Sequence, residues 1–216
     1  MLHRKKKGGR IVRYVGVLFS LIVCSSTYAE VLGNQGWYVN LGMGYAKINQ
    51  IQPSDAETII GKVGLGKTLF RFPHGISAGA ELGVQTGNTM RMGISQDQLN
   101  TLGGLPIQTT LKPILDFLAT LKIKTGKCLF LDTRFGAAYR SWQINDRETV
   151  NNLSDIRPEL EIGLGSKINR RFNLSLLYQT IFSTPYSFTI DPVEDTAHVN
   201  NIPQQSGVLL IASINI

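Results

Sequence analysis

The segment Gly61–Thr68 has the spacing of a phosphate-binding loop. Its residues, Gly-Lys-Val-Gly-Leu-Gly-Lys-Thr, fit the pattern G-x-x-x-x-G-K-[ST], in which backbone amides and a lysine hold the phosphates of a nucleotide. That chemistry needs a helix after the loop, because amides at a helix N-terminus bind the phosphates. The following residues include Pro73 and Gly75 and cannot begin a helix of useful length. We therefore interpret the match as part of a glycine-rich strand.

Histidine chemistry is the second possibility that the residue types suggest. A nucleophilic hydrolase needs a base in contact with its nucleophile, and that base is usually histidine. Beyond residue 29 the sequence has His74, in a predicted turn, and His198, in a predicted loop with Ser187, Asp191, Glu194, Asp195 and Thr196. A surface hydrolase site at His198 stays an alternative, but a solvated acidic loop is favoured. We predict no enzymatic activity and no catalytic, cofactor-binding or metal-binding residues.

Ionisable residues also recur on one side of the predicted strands, among glycines. There are five bases and five acids: Lys62, Glu81, Asp116, Lys122, Asp132, Arg134, Arg140, Glu159, Glu161 and Lys167. One interpretation is that these charges pair across a narrow interior and plug it, since an unpaired buried charge is costly. The other is that they line an aqueous channel. We favour the plug, because a small barrel has barely enough room for its own side chains.

The elements that must position these residues are strands. In Trp37–Tyr45 large apolar side chains occupy the odd positions and small or polar ones most even positions. Successive side chains of a strand point to opposite faces, so one face is apolar and the other polar. About eight such segments occur between Gly36 and Ile216. We predict strands at about 36–47, 58–69, 76–85, 107–124, 128–142, 157–169, 172–182 and 205–216.

The predicted connections alternate in length. Long polar loops are predicted at Asn49–Glu57, Gly87–Leu105, Gln143–Asp155 and Ser183–Pro203, and short turns at Phe72–Gly75, Thr125–Lys127 and Asn169–Arg171. Barrels of outer membranes have short periplasmic turns and longer external loops. An even number of strands that starts on the turn side would place both termini in the periplasm.

Aromatic residues are predicted near both ends of the strands. Near the turns lie Trp37, Phe70, Phe72, Phe130 and Phe172, and near the loops lie Tyr45, Tyr139, Trp142, Tyr178 and Phe182. Two such belts fit the two interfaces of a membrane. Lys67 falls on the apolar side of its strand, near the turns, where a lysine can reach the interface. Ordinary aromatic packing in a soluble sandwich or lipocalin-like barrel is the alternative.

Residues 1–29 predict a secretory signal peptide. A stretch with six bases and no acid precedes the apolar run Val15–Val23, and small residues follow up to Ala29. The run is about half of what a membrane-spanning helix needs. An uncleaved anchor is an alternative, and so is a lipoprotein modified at Cys24, although Val23 is larger than a lipobox prefers.

Charge and cysteine content exclude several classes of function. Beyond residue 29 the sequence has 16 Lys and Arg residues against 15 acids, so the electrostatic case for a nucleic-acid partner disappears. Cys128 is then the only cysteine, which excludes an intramolecular disulfide and a cysteine-rich metal site. We interpret Cys128 as a packing residue.

Three stretches, Gly36–Tyr45, Phe135–Tyr139 and Arg157–Gly165, together with the final strand, carry a resemblance to a known family. The chain resembles the small eight-stranded outer-membrane barrels of the OmpA and OmpX type over about residues 36–216. The resemblance implies an all-β fold, an eight-stranded antiparallel transmembrane meander, with 1–29 as a cleaved signal peptide and 30–216 as the barrel domain. Ile216 stands where such proteins usually end on an aromatic residue.

The resemblance also implies a location and partners. We expect a monomer in the outer membrane of a Gram-negative cell, in contact with lipid and lipopolysaccharide and inserted by the barrel-assembly machinery. Its expected function is structural or a surface interaction, such as attachment to host molecules, through loops around Asn88–Leu105 and Ser183–Pro203. A small porin-like channel and an outer-membrane lipid hydrolase remain the alternatives.

Overall fold

The structure of the chain is a computed structural model that describes residues 36–49, 51, 53–93, 107–146, 149–185, 188–191 and 196–216. The predicted signal peptide lies outside the described residues. The described part contains the strands β1 (Trp37–Ile48), β2 (Glu57–Phe72), β3 (Ile76–Gln85), β4 (Asn88–Arg91), β5 (Gln108–Leu111), β6 (Ile114–Lys124), β7 (Leu129–Asp146), β8 (Thr149–Lys167), β9 (Phe172–Ile181), β10 (Phe188–Asp191), β11 (Thr196–Val199) and β12 (Gln205–Asn215). No helix in these ranges is both long enough and apolar enough to cross a bilayer.

Eight of the strands form a closed antiparallel barrel. The order around it is β1, β2, β3, β6, β7, β8, β9 and β12, and β12 pairs with β1 to complete the circle. Each strand therefore neighbours the next barrel strand along the chain, which confirms the predicted all-β eight-stranded meander. We call the end with the connections β2–β3, β6–β7 and β8–β9 the turn end and the opposite end the loop end.

The predicted long loops contain more strand than expected. β7 and β8 stay paired up to Asp146 and Thr149, so the predicted loop Gln143–Asp155 is wrong in most of its length. β4 pairs with β5, and β10 pairs with β11, in hairpins beyond the barrel. The strands of these two hairpins have four residues each, which is at the lower limit for an alternation to be recognised in the sequence.

The predicted strand 107–124 is divided at Lys112 and Pro113 into β5 and β6. Proline has no backbone N–H to donate to a sheet. The amide of Lys112 instead donates to the carbonyl of Ser141, at 2.8 Å. The residues before this point form β5, which pairs with β4 and with the outer part of β7. The residues after it form β6, which belongs to the barrel.

A bulge in β2 sets the direction of two aromatic side chains. The pairing with β3 shifts between Thr68 and Phe70, which leaves Leu69 as an extra residue. Beyond the shift Phe70 and Phe72 lie opposite Ala78 and Ile76, on the apolar side of the sheet. Before the bulge the even-numbered residues of β2 face the lumen. Without the bulge, both rings would therefore point into the barrel. The bulge therefore restores the aromatic belt predicted at the turn end.

The β2–β3 turn uses the left-handed backbone region. His74 has φ +66° and Gly75 has φ +77°, and this region favours glycine. His74 thus lies in the turn in which we predicted it.

Candidate functional site

The barrel interior holds eight buried ionisable side chains from the ten that we predicted there. They are Lys62, Glu81, Asp116, Asp132, Arg134, Arg140, Glu159 and Glu161. Lys122 is half-buried, and Lys167 is exposed at the turn end. The fully buried set therefore contains three bases and five acids, and the other two predicted bases lie at the turn-end mouth of the barrel.

Lys62 is the centre of the first ionic cluster. Its ammonium nitrogen lies 2.6 Å from a Glu161 oxygen, 3.0 Å from Asp116 and 3.6 Å from Glu159. The three carboxylates come from β6 and β8, across the lumen from β2. A small ammonium group with three donors suits such a junction, because it can turn a proton toward each acid.

Arg134 is the centre of the second cluster, nearer the turn end. Its guanidinium lies 3.1 Å from Glu81, 3.2 Å from Asp132 and 3.6 Å from the second oxygen of Glu161. Ser175 donates a further hydrogen bond to Asp132 at 2.9 Å. Glu161 thus joins the two clusters into one set, Lys62, Glu81, Asp116, Asp132, Arg134, Glu159 and Glu161, which we call the lumen network.

Neutral side chains extend the lumen network to more strands. Gln179 donates to Glu159 at 2.6 Å and to Gln85 at 2.9 Å, and the Tyr38 hydroxyl lies 3.5 Å from Glu81. The polar contacts therefore reach seven of the eight barrel strands. Glycines leave the necessary space: a Cβ on Gly83 would lie 2.2 Å from an Asp116 oxygen. The structure accordingly shows charges that are paired across the lumen, as the plug interpretation predicts.

The apparent phosphate-binding loop lies wholly within β2. The strand leads into a single 3-10 turn at Pro73–Gly75 and then into β3, not into an α-helix, and Lys62 is part of the lumen network. Lys67 is on the outer side, where its ammonium lies 5.2 Å from the centre of the Trp37 ring, a cation–π distance. These residues form a lumen-facing glycine strand, as predicted, and the match has no nucleotide-binding geometry.

An apolar cluster covers the barrel at the loop end. Its buried members are Ile48, Ile51, Ala56, Met90, Met92, Ile107, Leu111, Ile114, Ala138, Trp142, Ile144, Ile181 and Ile202, and we call this set the loop-end cap. It combines barrel residues with residues of the β4–β5 hairpin and the last loop. Trp142 is only 1% exposed, so its predicted place in the outer aromatic belt is wrong. Trp142 has an even number, and the even-numbered residues of β7, such as Arg134, face the lumen.

The prediction that Phe130 belongs to the outer aromatic belt is also wrong. This residue has the same inward parity as Arg134 in β7, and its ring would meet a Cβ on Gly165 at 2.2 Å. Phe130 therefore packs inside the turn-end mouth, and only aromatic residues of outward parity remain for the belt.

Arg140 attaches the last loop to the barrel. Its guanidinium donates to the carbonyls of Pro203 and Ile202, at 2.6 and 3.0 Å, and to Asp155 at 3.2 Å. Because both carbonyls belong to the chain just before β12, this one side chain holds the loop against the rim. The contact places Ile202 in the loop-end cap.

Asp55 and Arg91 make a second attachment, between the β1–β2 loop and β4. Arg91 donates to Asp55 through its side chain at 2.7 Å and through its backbone amide at 2.9 Å. The side-chain hydrogen bond from Arg91 holds the pKa of the Asp55 carboxyl well below its usual range. Asp55 is thus charged at neutral pH and bound to the hairpin.

The side chains considered for hydrolase chemistry around His198 lie outside the described part of the chain. His198 is in β11, but its side chain and the residues Glu194 and Asp195 lie outside the described residues. Within the described part, no three His, Cys, Asp or Glu residues are grouped so that they could hold a metal ion. Cys128 is free and exposed at the β6–β7 turn, so its predicted packing role is wrong.

The outer surface of the barrel is covered by apolar side chains. Met43, Leu82 and Phe117 are 63%, 62% and 58% exposed, whereas the charged Arg134 is 0% exposed. This is the reverse of a water-soluble protein, in which charged groups face water and a continuous exposed apolar surface is rare. A closed barrel that is apolar outside and charged inside fits a lipid environment. The chain has the fold of a small eight-stranded outer-membrane β-barrel.

Comparison with solved structures agrees with this fold. Ail, the attachment invasion locus protein of Yersinia pestis, in complex with the heparin analogue sucrose octasulfate, matches at 13% identity and a TM-score of 0.50, over 85% of this chain and 100% of that one. A major outer membrane protein of Thermus thermophilus matches at 12% identity and a TM-score of 0.51, with the same coverage. No protein-family model matches the chain, and no curated protein matches it by sequence. The likeness is therefore one of fold.

Proposed function

We propose that this outer-membrane β-barrel is a non-enzymatic surface protein that contacts other molecules through its loop end. The observation that carries the proposal is the loop-end cap. A barrel that only fills the membrane has no need for a second apolar core beyond its lumen network. Here that core holds the β4–β5 hairpin, the outer part of β7 and the last loop in fixed positions. Such ordered extensions suit the presentation of a binding surface, because little loop entropy is lost when a partner binds.

One protein with a similar fold, Ail, gives a reason to test host molecules first. The Ail structure is an attachment protein in complex with a heparin analogue. We extend that idea to this chain as a hypothesis: surface carbohydrates or proteins of a host are candidate partners of the loop end. Membrane lipid, lipopolysaccharide and the barrel-assembly machinery are the further partners that we propose, for a monomer whose apolar outer face is in the bilayer.

An adhesion assay tests the surface function. Residues 145–150, the tip of the β7–β8 hairpin, are replaced by Asn-Gly, which makes a two-residue turn and keeps Trp142 and Ile144 in place. Non-adherent Gram-negative cells that express the natural chain should attach to epithelial monolayers and to heparin-coated plates. Cells with the shortened hairpin should attach no better than cells with empty vector.

The control inserts the same Asn-Gly pair after Gly126, in a turn at the other end of the barrel. This variant should attach like the natural chain. Heat-modifiable gel migration of each variant shows that the barrel has folded. Equal attachment by the natural chain, the shortened hairpin and the empty vector contradicts the proposed surface function.

A further inference from the structure

The turn end of the barrel contains an open cavity of about 540 Å³, which we call the vestibule. All three short turns and the adjoining strand ends contribute to its walls. Its basic lining residues are Arg71, Lys122, Lys124, Lys127, Lys167 and Arg170. No acid is among the residues that line it. The size is within the range of sites for small molecules, about 300 to 1,000 Å³.

These six bases differ from the bases deeper in the barrel. Lys62, Arg134 and Arg140 each lie within 4 Å of at least one carboxylate. Within the part of the chain that the structure describes, none of the six vestibule bases makes such an ion pair. Like charges that converge in a concave site produce a strong positive potential. The vestibule is therefore a place where an anion would be stabilised.

The charge is specific to this end of the molecule. The segments 66–79, 120–131 and 164–175 contain Lys67, Arg71, Lys122, Lys124, Lys127, Lys167, Arg170 and Arg171 and no acid. These are eight of the 16 bases beyond residue 29. At the loop end, by contrast, bases alternate with acids such as Asp55 and Asp155. The nearest acid is Asp132, which lies opposite Lys122 in the β6–β7 ladder and is paired with Arg134.

The floor of the vestibule is closed and positions one base. The Lys122 ammonium lies 5.0 Å from the centre of the Tyr38 ring and 5.6 Å from that of Phe130. These cation–π contacts hold the side chain without using hydrogen-bond donors on an acid. Just beyond, Arg134 with Asp132 and Glu81 fills the lumen. The vestibule is therefore bounded by paired side chains on its inner side and open at the turn end.

We infer that the vestibule binds a phosphate-bearing anion. Four lysines and two arginines supply the positive charge and the many N–H donors that a phosphate group accepts, and Ser77 adds a hydroxyl to the lining. Trp37, with Lys67 over its ring, marks the level of the membrane interface at the same end. The phosphate could thus belong to an anionic lipid headgroup at that level or to a soluble phosphate compound, and the same six bases would hold either.

The test is calorimetric titration of the refolded barrel in non-ionic detergent. One probe is dihexanoyl phosphatidylglycerol below its micelle concentration, with dihexanoyl phosphatidylcholine as the zwitterionic reference, and the second probe is inorganic pyrophosphate. The double variant Lys124→Gln/Lys127→Gln removes two exposed vestibule bases. At about 1 kcal/mol for each base near an anionic surface, affinity should fall about 30-fold.

The matched control is Lys47→Gln/Lys112→Gln, which removes the same charge from exposed positions near the loop end. It should keep the affinity of the natural chain. Cys128 lines the vestibule, so bound anion should also slow its modification by a maleimide, and this readout does not depend on overall charge. Heat-modifiable migration confirms that each variant is folded.

Each outcome decides the inference. Saturable binding of phosphatidylglycerol alone, lost in the vestibule variant, supports it and identifies a lipid headgroup as the source. Binding of pyrophosphate with the same dependence supports it with a soluble source. Absence of binding by both probes overturns it, and so does an equal loss of affinity in the vestibule variant and the control.

Discussion

At the scale of single residues, the stability of this barrel depends on how buried charges are matched. Lys62 has three carboxylates within 4 Å, and Glu161 is shared between Lys62 and Arg134. Removing one partner from a buried ion pair leaves an uncompensated charge in a poorly solvated place. The most sensitive position is thus the base that neutralises several acids at once.

We predict that Lys62→Met lowers the free energy of unfolding by about 3–5 kcal/mol, the range for a broken buried ion pair. Methionine has a similar length but no charge, so Asp116, Glu159 and Glu161 lose their shared cation. Urea titration of the barrel refolded in phospholipid vesicles measures the change.

The control for this prediction is Lys47→Met, because Lys47 is exposed at the loop end. Its effect should stay within about 0.5 kcal/mol, as for ordinary surface substitutions. Adding Glu161→Gln to Lys62→Met should recover part of the loss, since one of the unpaired acids becomes neutral. Equal stability of the two lysine variants would show that the lumen network does not support the fold.

At the scale of elements, strand register decides which side chains face lipid. A shift of one residue moves every side chain of a strand to the other face. β2 contains an extra residue, Leu69, at its bulge, and β3 pairs with β2 and β6 without one of its own. The two strands should therefore respond differently to the loss of one residue.

We predict that deletion of Leu69 is tolerated and deletion of Leu82 is not. Without Leu69 the strand becomes regular, and Thr68, Phe70 and Phe72 keep their faces. Without Leu82 one part of β3 must change faces, which turns Glu81 from the lumen network toward lipid, at a cost of several kcal/mol. The measurement is the folded fraction after refolding into vesicles, read from heat-modifiable migration. Equal folding of the two deletions would contradict this assignment of faces.

At the scale of the whole molecule, two layers lie across the lumen. The lumen network occupies the middle and the loop-end cap covers one end. An eight-stranded barrel is only wide enough to be filled by its own side chains, and here those side chains are paired by charge. This packing supports a barrel that does not conduct ions, rather than the porin-like alternative.

Planar bilayer recordings test whether the barrel conducts ions. We predict no steady single-channel conductance from the refolded chain, because an ion would have to displace paired side chains of the lumen network. Bilayers that receive the same detergent without protein give the baseline. Large, steady openings at low voltage would favour the porin-like channel. The adhesion assay would still test the proposed surface function independently.

The barrel and most of its strands could be predicted from the sequence. Alternation over Trp37–Tyr45 and its counterparts is a local property of each strand, and the alternating lengths of the connections follow from the same segments. Parity also indicated which charges face inward: eight of the ten are buried in the lumen, and Lys122 and Lys167 line the vestibule. The same parity already placed Trp142 and Phe130 inward, so the error in the aromatic belts came from grouping residues by position along the strand alone.

The way in which distant residues combine could be seen only in the folded barrel. Lys62 and Glu161 are 99 residues apart, and the six vestibule bases come from three strand ends and two turns, so no local pattern could reveal either group. The bulge at Leu69 depends on pairing with β3, and the hairpins beyond the barrel depend on packing in the loop-end cap. Side-chain period is set by the backbone of one strand, whereas charge pairing, closure and cavities are set by which strands meet.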